Sequence, residues 1–204
     1  LLILLPAAFF FFTDFSTLST GKRLLASFFQ SVTPRTAGYN TVTLSAMSGA
    51  SQGIMILLML IGGSPGSTAG GIKTKTLAVL LANTAATFRQ RENAQFFGRR
   101  IDFSAVKTAA TILTMYLTLF FGGAVFISVY EDLTLSACLY ETASAVGTVG
   151  LTLGITPQLH IPSQIVLIML MYLGRVGGLT LIYAAFSGKK INGAKLPQEK
   201  IMIG

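Results

Sequence analysis

Three long stretches of the chain contain no lysine, arginine, aspartate or glutamate. They cover residues 36–72, 108–130 and 142–174, and Arg175 alone separates the last from further uncharged sequence up to Lys189. About 20 apolar residues cross the hydrocarbon core of a bilayer, so each stretch can hold a span. Only 11% of the residues are charged, against about 25% in soluble domains. The sequence therefore predicts an all-α membrane protein, because helices satisfy their own backbone in lipid.

Two glycine-bearing triplets, Thr36-Ala37-Gly38 and Thr148-Val149-Gly150, lie 112 residues apart. The same offset pairs Gly62 with Gly174 and Gly66 with Gly178. Each triplet follows a segment too short to span a bilayer, and a longer apolar stretch comes about a dozen residues later. A single triplet of this kind carries little weight, and a pair of loop glycines at helix caps is the alternative. The matched offset favours a duplicated pore unit.

The two triplets have the chemistry of a cation filter. Carbonyl oxygens of an extended segment can replace the hydration shell of a cation, and glycine tolerates the backbone angles that this requires. We expect Thr36–Asn40 and residues 146–151 to be extended. Short helices over 22–33 and 133–145 would direct their partially negative C-terminal ends at the cation. The predicted ion-binding residues, acting through backbone carbonyls, are Thr36, Ala37, Gly38, Tyr39, Gly147, Thr148, Val149 and Gly150.

The chain divides into two pore units with a linker and a tail. The units are predicted at residues 1–82 and 106–188, the linker at 83–105 and the tail at 189–204. Residues 1–13 are uncharged and too short to span. They also lack the basic segment of a signal peptide. We interpret them as the end of a helix that begins outside this chain, so that the first unit has a truncated first helix.

The basic residues indicate orientation. Cytoplasmic loops carry an excess of lysine and arginine, and two segments hold most of them here, so the linker and the C-terminus are predicted to be cytoplasmic and the filters to open outward. The net charge of +8 is thus a topology signal and not a nucleic-acid signature. The linker group is Lys73, Lys75, Arg89, Arg91, Arg99, Arg100 and Lys107, the tail group is Lys189, Lys190, Lys195 and Lys200, and the opposite side holds Lys22, Arg23 and Arg35.

Three segments together resemble the Trk/Ktr/HKT superfamily of potassium transporters, and within it the membrane subunit of the bacterial Ktr system. They are FQSVTPRTAGYN at 29–40, GGSPGSTAGGIKT at 62–74 and AVGTVGL at 145–151. The resemblance implies four helix–pore-helix–helix repeats around one pseudo-fourfold, potassium-channel-like pore, of which this chain looks like the third and fourth. It also implies potassium as the transported ion, sodium as an activator, a homodimer in the cell membrane, and a cytosolic nucleotide-binding regulatory ring as partner.

A glycine-rich segment interrupts the second predicted span, 52–82. Clustered glycines and Pro65 disfavour a helix, and non-helical backbone at membrane depth must be buried in protein or line a cavity. We therefore predict a gate below the first filter, and the resemblance assigns the same role. A phosphate-binding loop is a poor alternative because Ile72 precedes Lys73, and a passive helix break is the other. The predicted gate residues are Gly62, Gly63, Ser64, Pro65, Gly66, Ser67, Thr68, Ala69, Gly70 and Gly71, together with Arg175.

Arg175 is predicted near the middle of a span at 163–187. A charged arginine there costs about 2.5–3.5 kcal/mol on insertion scales. We favour a fixed positive charge that faces the pore below the filter, and the resemblance implies an arginine in this helix. The alternative is a snorkelling or ion-paired structural residue, with Glu141 as the nearest intramembrane acid. Gly177-Gly178 stands where the resemblance leads us to expect Gly-Pro.

Two classes of function remain open. The first is a cation-conducting transporter subunit, and the second is a non-conducting membrane scaffold that docks a cytosolic regulatory protein. Intramembrane glycine-rich loops favour the first, because a scaffold does not need exposed backbone at that depth. An enzyme is not expected, since the chain has one cysteine, Cys138, and one histidine. No covalently bound cofactor and no nucleic-acid partner are predicted.

Overall fold

The computed structural model describes residues 2–67, 69–91, 93–96 and 98–177, and this part of the chain is mainly helical. The all-α prediction is therefore confirmed, apart from one small hairpin. The predicted tail and the end of the span 163–187 lie outside the described residues. The elements are α1 Leu4–Phe12, α2 Thr20–Val32, α3 Gly49–Leu60, α4 Thr74–Phe88, β1 Gln95–Phe96, β2 Arg99–Arg100, α5 Phe103–Glu131, α6 Leu135–Val146 and α7 Ile161–Val176.

Helix α5 is, within the described ranges, the one helix both long and apolar enough to cross a bilayer. Its 29 residues extend about 44 Å at 1.5 Å per residue, which exceeds a hydrocarbon core of about 30 Å. Helices α3 and α7 are apolar but shorter. The predicted span 52–82 is divided between α3 and α4, with residues 61–67 and 69–73 non-helical between them, because that segment holds the clustered glycines and Pro65.

The internal repeat recurs in the backbone. Helices α3 and α7 begin at Gly49 and Ile161, which are 112 residues apart. Short 3₁₀ turns at Leu44–Ala46 and Thr156–Gln158 keep the same offset. The first helix of this pair is capped by the Ser48 side chain, which accepts from Ser51 N, whereas α7 has a proline in its first turn, a position that tolerates the missing N–H. A side-chain cap and a first-turn proline thus begin the two helices at equivalent positions.

Helix α6 lies at the centre of the packing. It contacts α5, α7 and α3, while α2 packs against α1 and α4 packs against α5. One buried cluster joins the two pore units through Phe10, Met55, Met59, Phe120 and Tyr140. A second lies within the later unit and includes Tyr116, Ile127, Val146, Leu167 and Leu170. Burying side chains of this size is worth about 1.5–3 kcal/mol each, so these clusters fix α6 relative to its neighbours.

The outward faces of α5 and α7 are apolar. Large contiguous apolar surface is unusual on a soluble monomer, and it fits contact with lipid or with further membrane helices. The exposed side chains on these two helices include Phe121, Val125, Phe126, Val129, Ile165, Ile168, Met169 and Tyr172.

The linker contains a small hairpin that the sequence did not predict. Helix α4 continues to Phe88, and β1 then pairs antiparallel with β2 through Gln95 with Arg100 and Phe96 with Arg99. Gly98 has φ of 73° at the turn, a conformation that glycine adopts at little cost. Strands of two residues are too short to leave a pattern of alternating hydrophobicity, which is why the segment looked like an irregular linker.

Candidate filter and gate

The first filter segment begins directly after α2, which ends before Pro34. The Thr33 carbonyl accepts hydrogen bonds from the nitrogens of Ala37 and Gly38, both at 3.1 Å. The Thr33 hydroxyl donates to the Tyr39 carbonyl at 2.6 Å. Residue 33 therefore holds the segment at both of its ends, as a rigid filter requires.

The second filter segment is held by α6 in a similar way. The nitrogen of Val149 donates to the Ser144 carbonyl at 2.9 Å, and the nitrogen of Gly150 donates to the Ser144 hydroxyl oxygen at 3.2 Å. The nitrogen of Thr148 donates to the Ala145 carbonyl at 3.0 Å. Val149 is 6% exposed, so its side chain points into the protein.

The two segments share an unusual backbone. Thr36 and Thr148 have φ of 69° and 53°, and Gly38 and Gly150 have φ of 72° and 92°. A β-branched residue at positive φ is uncommon and tends to occur at functional sites. The prediction of extended segments is therefore wrong at the start of both, because residues 36–37 and 147–148 lie in turns and Val146 still belongs to α6. In both segments two left-handed residues are separated by one ordinary residue.

The structure brings the two filter segments into contact. A β-carbon on Gly38 would overlap the carbonyl oxygen of Val149, and it would also approach Gly150 Cα at 3.8 Å. Gly150 has no atom within 4 Å of the equivalent position. One glycine of the pair is thus required by both space and conformation, and the other by conformation alone.

Residues 61–67 and 69–73 belong to one loop between α3 and α4, and its two ends are joined. Ile61 and Ile72 make a parallel bridge, and Gly62 N donates to the Ile72 carbonyl at 2.8 Å. A β-carbon on Gly62 would overlap the Gly70 carbonyl oxygen, so the base of the loop closes only with glycine there. A β-carbon on Gly174, the glycine 112 residues later in the chain, would likewise overlap the Val146 carbonyl oxygen.

The loop lies against the inner end of the second filter segment. Gly70 N donates a 3.0 Å hydrogen bond to Oγ1 of Thr148, and a β-carbon on Gly71 would be 3.6 Å from Gly147 Cα. The predicted gate residues 62–67 and 69–71 therefore occupy one loop beside the filter. Thr68 and Gly178 lie outside the described residues.

Two cationic side chains donate hydrogen bonds to the backbone of this loop, and a third lies near one of them. Arg35 Nη2 donates to the Gly62 carbonyl at 3.2 Å, a contact that charge counting did not predict. The Lys73 ammonium donates to the Ser67 carbonyl at 3.1 Å and to the Ala69 carbonyl. Arg175 lies close enough to Lys73 for the two charges to repel each other. Positive charge is therefore concentrated beside the loop.

Arg175 is not in the middle of a helix as predicted. It lies in the last turn of α7, which ends at Val176 and is followed by Gly177 at φ 87°. Glu141, proposed above as its nearest acidic partner, is instead bonded to residues that follow the second filter segment. The sequence alone did not predict that Glu141 is bonded to the residues after the second filter segment. A single carboxylate in a short apolar helix, followed by threonines at 152 and 156, was the available signal.

Comparison with known proteins gives the family. The family model for TrkH, cation transport protein, matches residues 2–194.

The chain belongs to the TrkH cation transport protein family.

Individual relatives agree with this assignment. The chain is 42% identical over 191 residues to the potassium/sodium uptake protein NtpJ of Enterococcus hirae, a match that covers 90% of this chain and 42% of the relative. It is 34% identical over 182 residues to the Ktr system potassium uptake protein B of Bacillus subtilis, covering 89% of this chain and 41% of the relative. The chain thus spans about two fifths of the length of these curated relatives.

Among solved structures, the potassium transporter TrkH from Vibrio parahaemolyticus has the same fold. The TM-score is 0.76 at 20% identity, with 90% of this chain and 42% of that chain covered. The resemblance inferred from the sequence motifs is confirmed by these matches. The family consists of transport proteins and not of enzymes, and its members are membrane proteins.

Proposed function

We propose that this chain forms the third and fourth repeats of the pore in a potassium uptake transporter of the cell membrane. The single observation that carries the proposal is the matched backbone of the two filter segments, in which Thr36 and Gly38 and their counterparts Thr148 and Gly150 all have positive φ. Such a backbone is strained, and strained conformations cluster at functional sites. A ring of inward-facing carbonyls that binds a cation is a function that accounts for the strain at these positions. The names of the relatives, which include potassium and sodium, agree with a monovalent cation.

In this proposal residues 1–82 are the third repeat, with its first helix incomplete, and residues 106–188 are the fourth. Residues 83–105 and 189–204 are the cytoplasmic linker and tail. The ion-binding groups are the backbone carbonyls at Thr36–Tyr39 and Gly147–Gly150. Four such segments would complete a ring, so two further repeats of the same protein supply the other half of the filter.

The loop at 62–71 acts as the gate. Its support is the hydrogen bond from Gly70 to Thr148 and the cluster of positive charge beside it. In low-dielectric surroundings a fixed positive charge raises the barrier for a passing cation, and it also prevents a cation from binding too tightly below the filter. Glycine-rich backbone can adopt several conformations, so a regulatory signal could move the loop once its bonds to Thr148 and Lys73 are broken.

The cytoplasmic linker is the proposed contact for a nucleotide-binding regulatory ring, with sodium as an activator and a homodimer as the assembly. Arg99 and Arg100 are exposed on β2, and Arg89 and Arg91 lie beside the same hairpin. A surface of this charge favours an acidic partner, and binding to that partner weakens as the salt concentration rises.

The direct test is cation uptake by the full-length protein in cells that lack other potassium uptake systems. We expect faster uptake of potassium than of sodium, relative to cells carrying the empty vector. Absence of uptake of either ion, with the protein present at the cell surface, would favour the non-conducting scaffold. Equal uptake of both ions would remove the assignment of potassium while retaining a transporter.

A further inference from the structure

The Glu141 carboxylate is buried and accepts three hydrogen bonds. Its side chain is on α6, and the residue is 4% exposed. Oε1 accepts from the Thr152 hydroxyl at 2.6 Å and from Leu153 N at 2.9 Å. Oε2 accepts from the Thr156 hydroxyl at 2.7 Å. Hydrogen bonds to an ionised acceptor are stronger than neutral ones, which offsets the cost of burying the charge.

All three donors lie immediately beyond the second filter segment. Thr152 comes two residues after Gly150, and the Thr152 hydroxyl is 3.1 Å from that of Thr156. The Thr152 oxygen also accepts from Gly154 N at 2.8 Å. Hydrogen bonds thus connect the residues of the turn 152–156 to one another, and the Glu141 carboxylate connects this turn to α6.

Glu141 and Ser144 bond adjacent parts of the chain at the second filter segment. They are three residues apart on α6 and therefore on the same face of the helix. Ser144 bonds the nitrogens of Val149 and Gly150, while Glu141 bonds the residues that follow. One face of α6 consequently holds the later half of the segment, at Val149 and Gly150, and also the residues that follow it.

The earlier repeat has no equivalent. At the matched offset Glu141 corresponds to Phe29, and Thr152 corresponds to Asn40. There the Asn40 side chain accepts from Val42 N at 3.2 Å, and the Gln52 amide donates to the carbonyls of Leu44 and Met47 at 3.3 Å. The outer end of the first segment is therefore held by the Thr33 hydroxyl at the end of α2 and by local contacts, with no carboxylate at the position that matches Glu141.

We infer that Glu141 is a positioning residue for ion selectivity, which fixes the outer end of the fourth-repeat filter through Thr152, Leu153 and Thr156. The inference rests on the proposed function, since it assigns a role within that filter. Without this attachment the carbonyls after Thr148 can relax to distances that suit either sodium or potassium. A rigid and strained backbone at Thr148 and Gly150 needs such support, because strained conformations persist only where the surroundings hold them.

Two substitutions distinguish a positioning role of Glu141 from a role of its negative charge. In Glu141→Gln the amide oxygen can still accept from Thr152 and Leu153, and the amide NH₂ can donate to Thr156, whose hydroxyl can accept as well as donate. Glu141→Ala removes every bond. If Glu141 positions the filter, the glutamine variant retains selectivity and the alanine variant loses it. If it acts as a negative charge that attracts cations, both variants lose affinity for cations alike.

The experiment measures potassium and sodium uptake by the full-length protein, with surface abundance determined for each variant. We expect the ratio of potassium to sodium uptake to fall roughly tenfold in Glu141→Ala, as the loss of bonds to a charged acceptor implies, and to stay within about twofold of the parent in Glu141→Gln. A parent protein that does not prefer potassium would refute the proposed function. A selective parent with an equally selective alanine variant would refute only the present inference.

A second pair of variants decides the matter if Glu141→Ala fails to reach the membrane. Thr156→Ala removes a single donor and leaves the carboxylate in place, whereas Thr156→Ser retains the hydroxyl. We expect a lower ratio of potassium to sodium uptake in the alanine variant and an unchanged ratio in the serine variant. Equal ratios in the two variants, or loss of selectivity in Glu141→Gln to the level of the alanine change, would overturn the positioning role.

Discussion

The main-chain nitrogen of Gly70 donates a 3.0 Å hydrogen bond to the side-chain oxygen of Thr148. Gly70 belongs to the loop between α3 and α4, and Thr148 belongs to the second filter segment, 78 residues later in the chain. The proposed gate of one repeat is therefore attached directly to the filter of the next. Any movement of the loop must break this bond or move the filter with it.

Removing that bond should loosen the loop. Thr148→Val deletes the acceptor and keeps the β-branched shape, while Thr148→Ser keeps the acceptor and serves as the control. One hydrogen bond contributes about 1 kcal/mol, which corresponds to a roughly fivefold change in the fraction of protein with the loop released. Ser67 is exposed, and we expect a cysteine placed there to react faster with a soluble thiol reagent in the valine background. Equal reaction rates in the valine and serine backgrounds would mean that the bond does not hold the loop.

Deleting Ser64–Ala69 should remove the obstruction below the filter. The deletion also takes away the Ser67 and Ala69 carbonyls that bind the Lys73 ammonium, so the charge beside the loop is released. We expect higher potassium flux and weaker control by the cytosolic partner in the full-length protein. Ser67→Ala, which leaves both carbonyls in place, is the matched control. A deletion variant with normal surface abundance, unaltered flux and unaltered regulation would contradict the gate assignment.

Charge reversal on the hairpin should weaken binding of the regulatory partner. Arg99 and Arg100 are both exposed on β2, so replacing them with glutamate changes surface charge without disturbing a core. We expect reduced co-purification of the partner, and binding by the parent that declines as salt rises. Lys22→Glu, at an exposed position predicted on the opposite side of the membrane, is the control. Unchanged recovery of the partner would place the contact elsewhere on the protein.

Asp14 should make stability depend on pH. Partial burial favours the neutral carboxyl, but hydrogen bonds from the Ser48 nitrogen and from the Ser51 and Thr13 hydroxyls outweigh it, so the pKa of Asp14 lies below its ordinary value. A lowered pKa contributes stability that is present above the unfolded-state value of about 4 and is lost as the pH falls through the folded-state value.

We therefore expect Asp14→Asn to lower the temperature of unfolding at pH 7. The difference from the parent should shrink as the pH falls below about 4. Thermal unfolding in detergent at a series of pH values measures it. A difference that stays constant down to pH 3 would show that the ionised carboxylate does not stabilise the contact between the α1–α2 link and the start of α3.

Much of the fold could be predicted because its signals are local. Pro34 and the clustered glycines of 62–71 disfavour a continuing helix, and the structure interrupts the helices at those places. The offset of 112 between Thr36 and Thr148 also reappears in their backbone conformations, since equivalent sequences in equivalent surroundings adopt equivalent φ values.

The remaining features depend on contacts between distant parts of the chain. Charge counting treats Arg35 as a free charge in a loop, but the Arg35 side chain donates to the carbonyl of Gly62, 27 residues later. The role of Glu141 required knowing that the chain returns along α6 after Gly150. Neither contact has a periodic pattern in the sequence, so only the folded structure reveals it.

The most direct test of the central claim compares the two filter glycines with a glycine outside the filter. Serine at Gly150 must adopt φ of 92°, which costs about 1–2 kcal/mol, and serine at Gly38 must in addition clear the Val149 carbonyl. Gly21 has neither constraint, so Gly21→Ser is the control. The measurement is the ratio of potassium to sodium uptake by the full-length protein at matched surface abundance. We predict a roughly tenfold lower ratio in Gly150→Ser, a larger loss in Gly38→Ser and no change in Gly21→Ser, whereas a parental ratio in both filter variants would contradict the assignment of these segments as the ion filter.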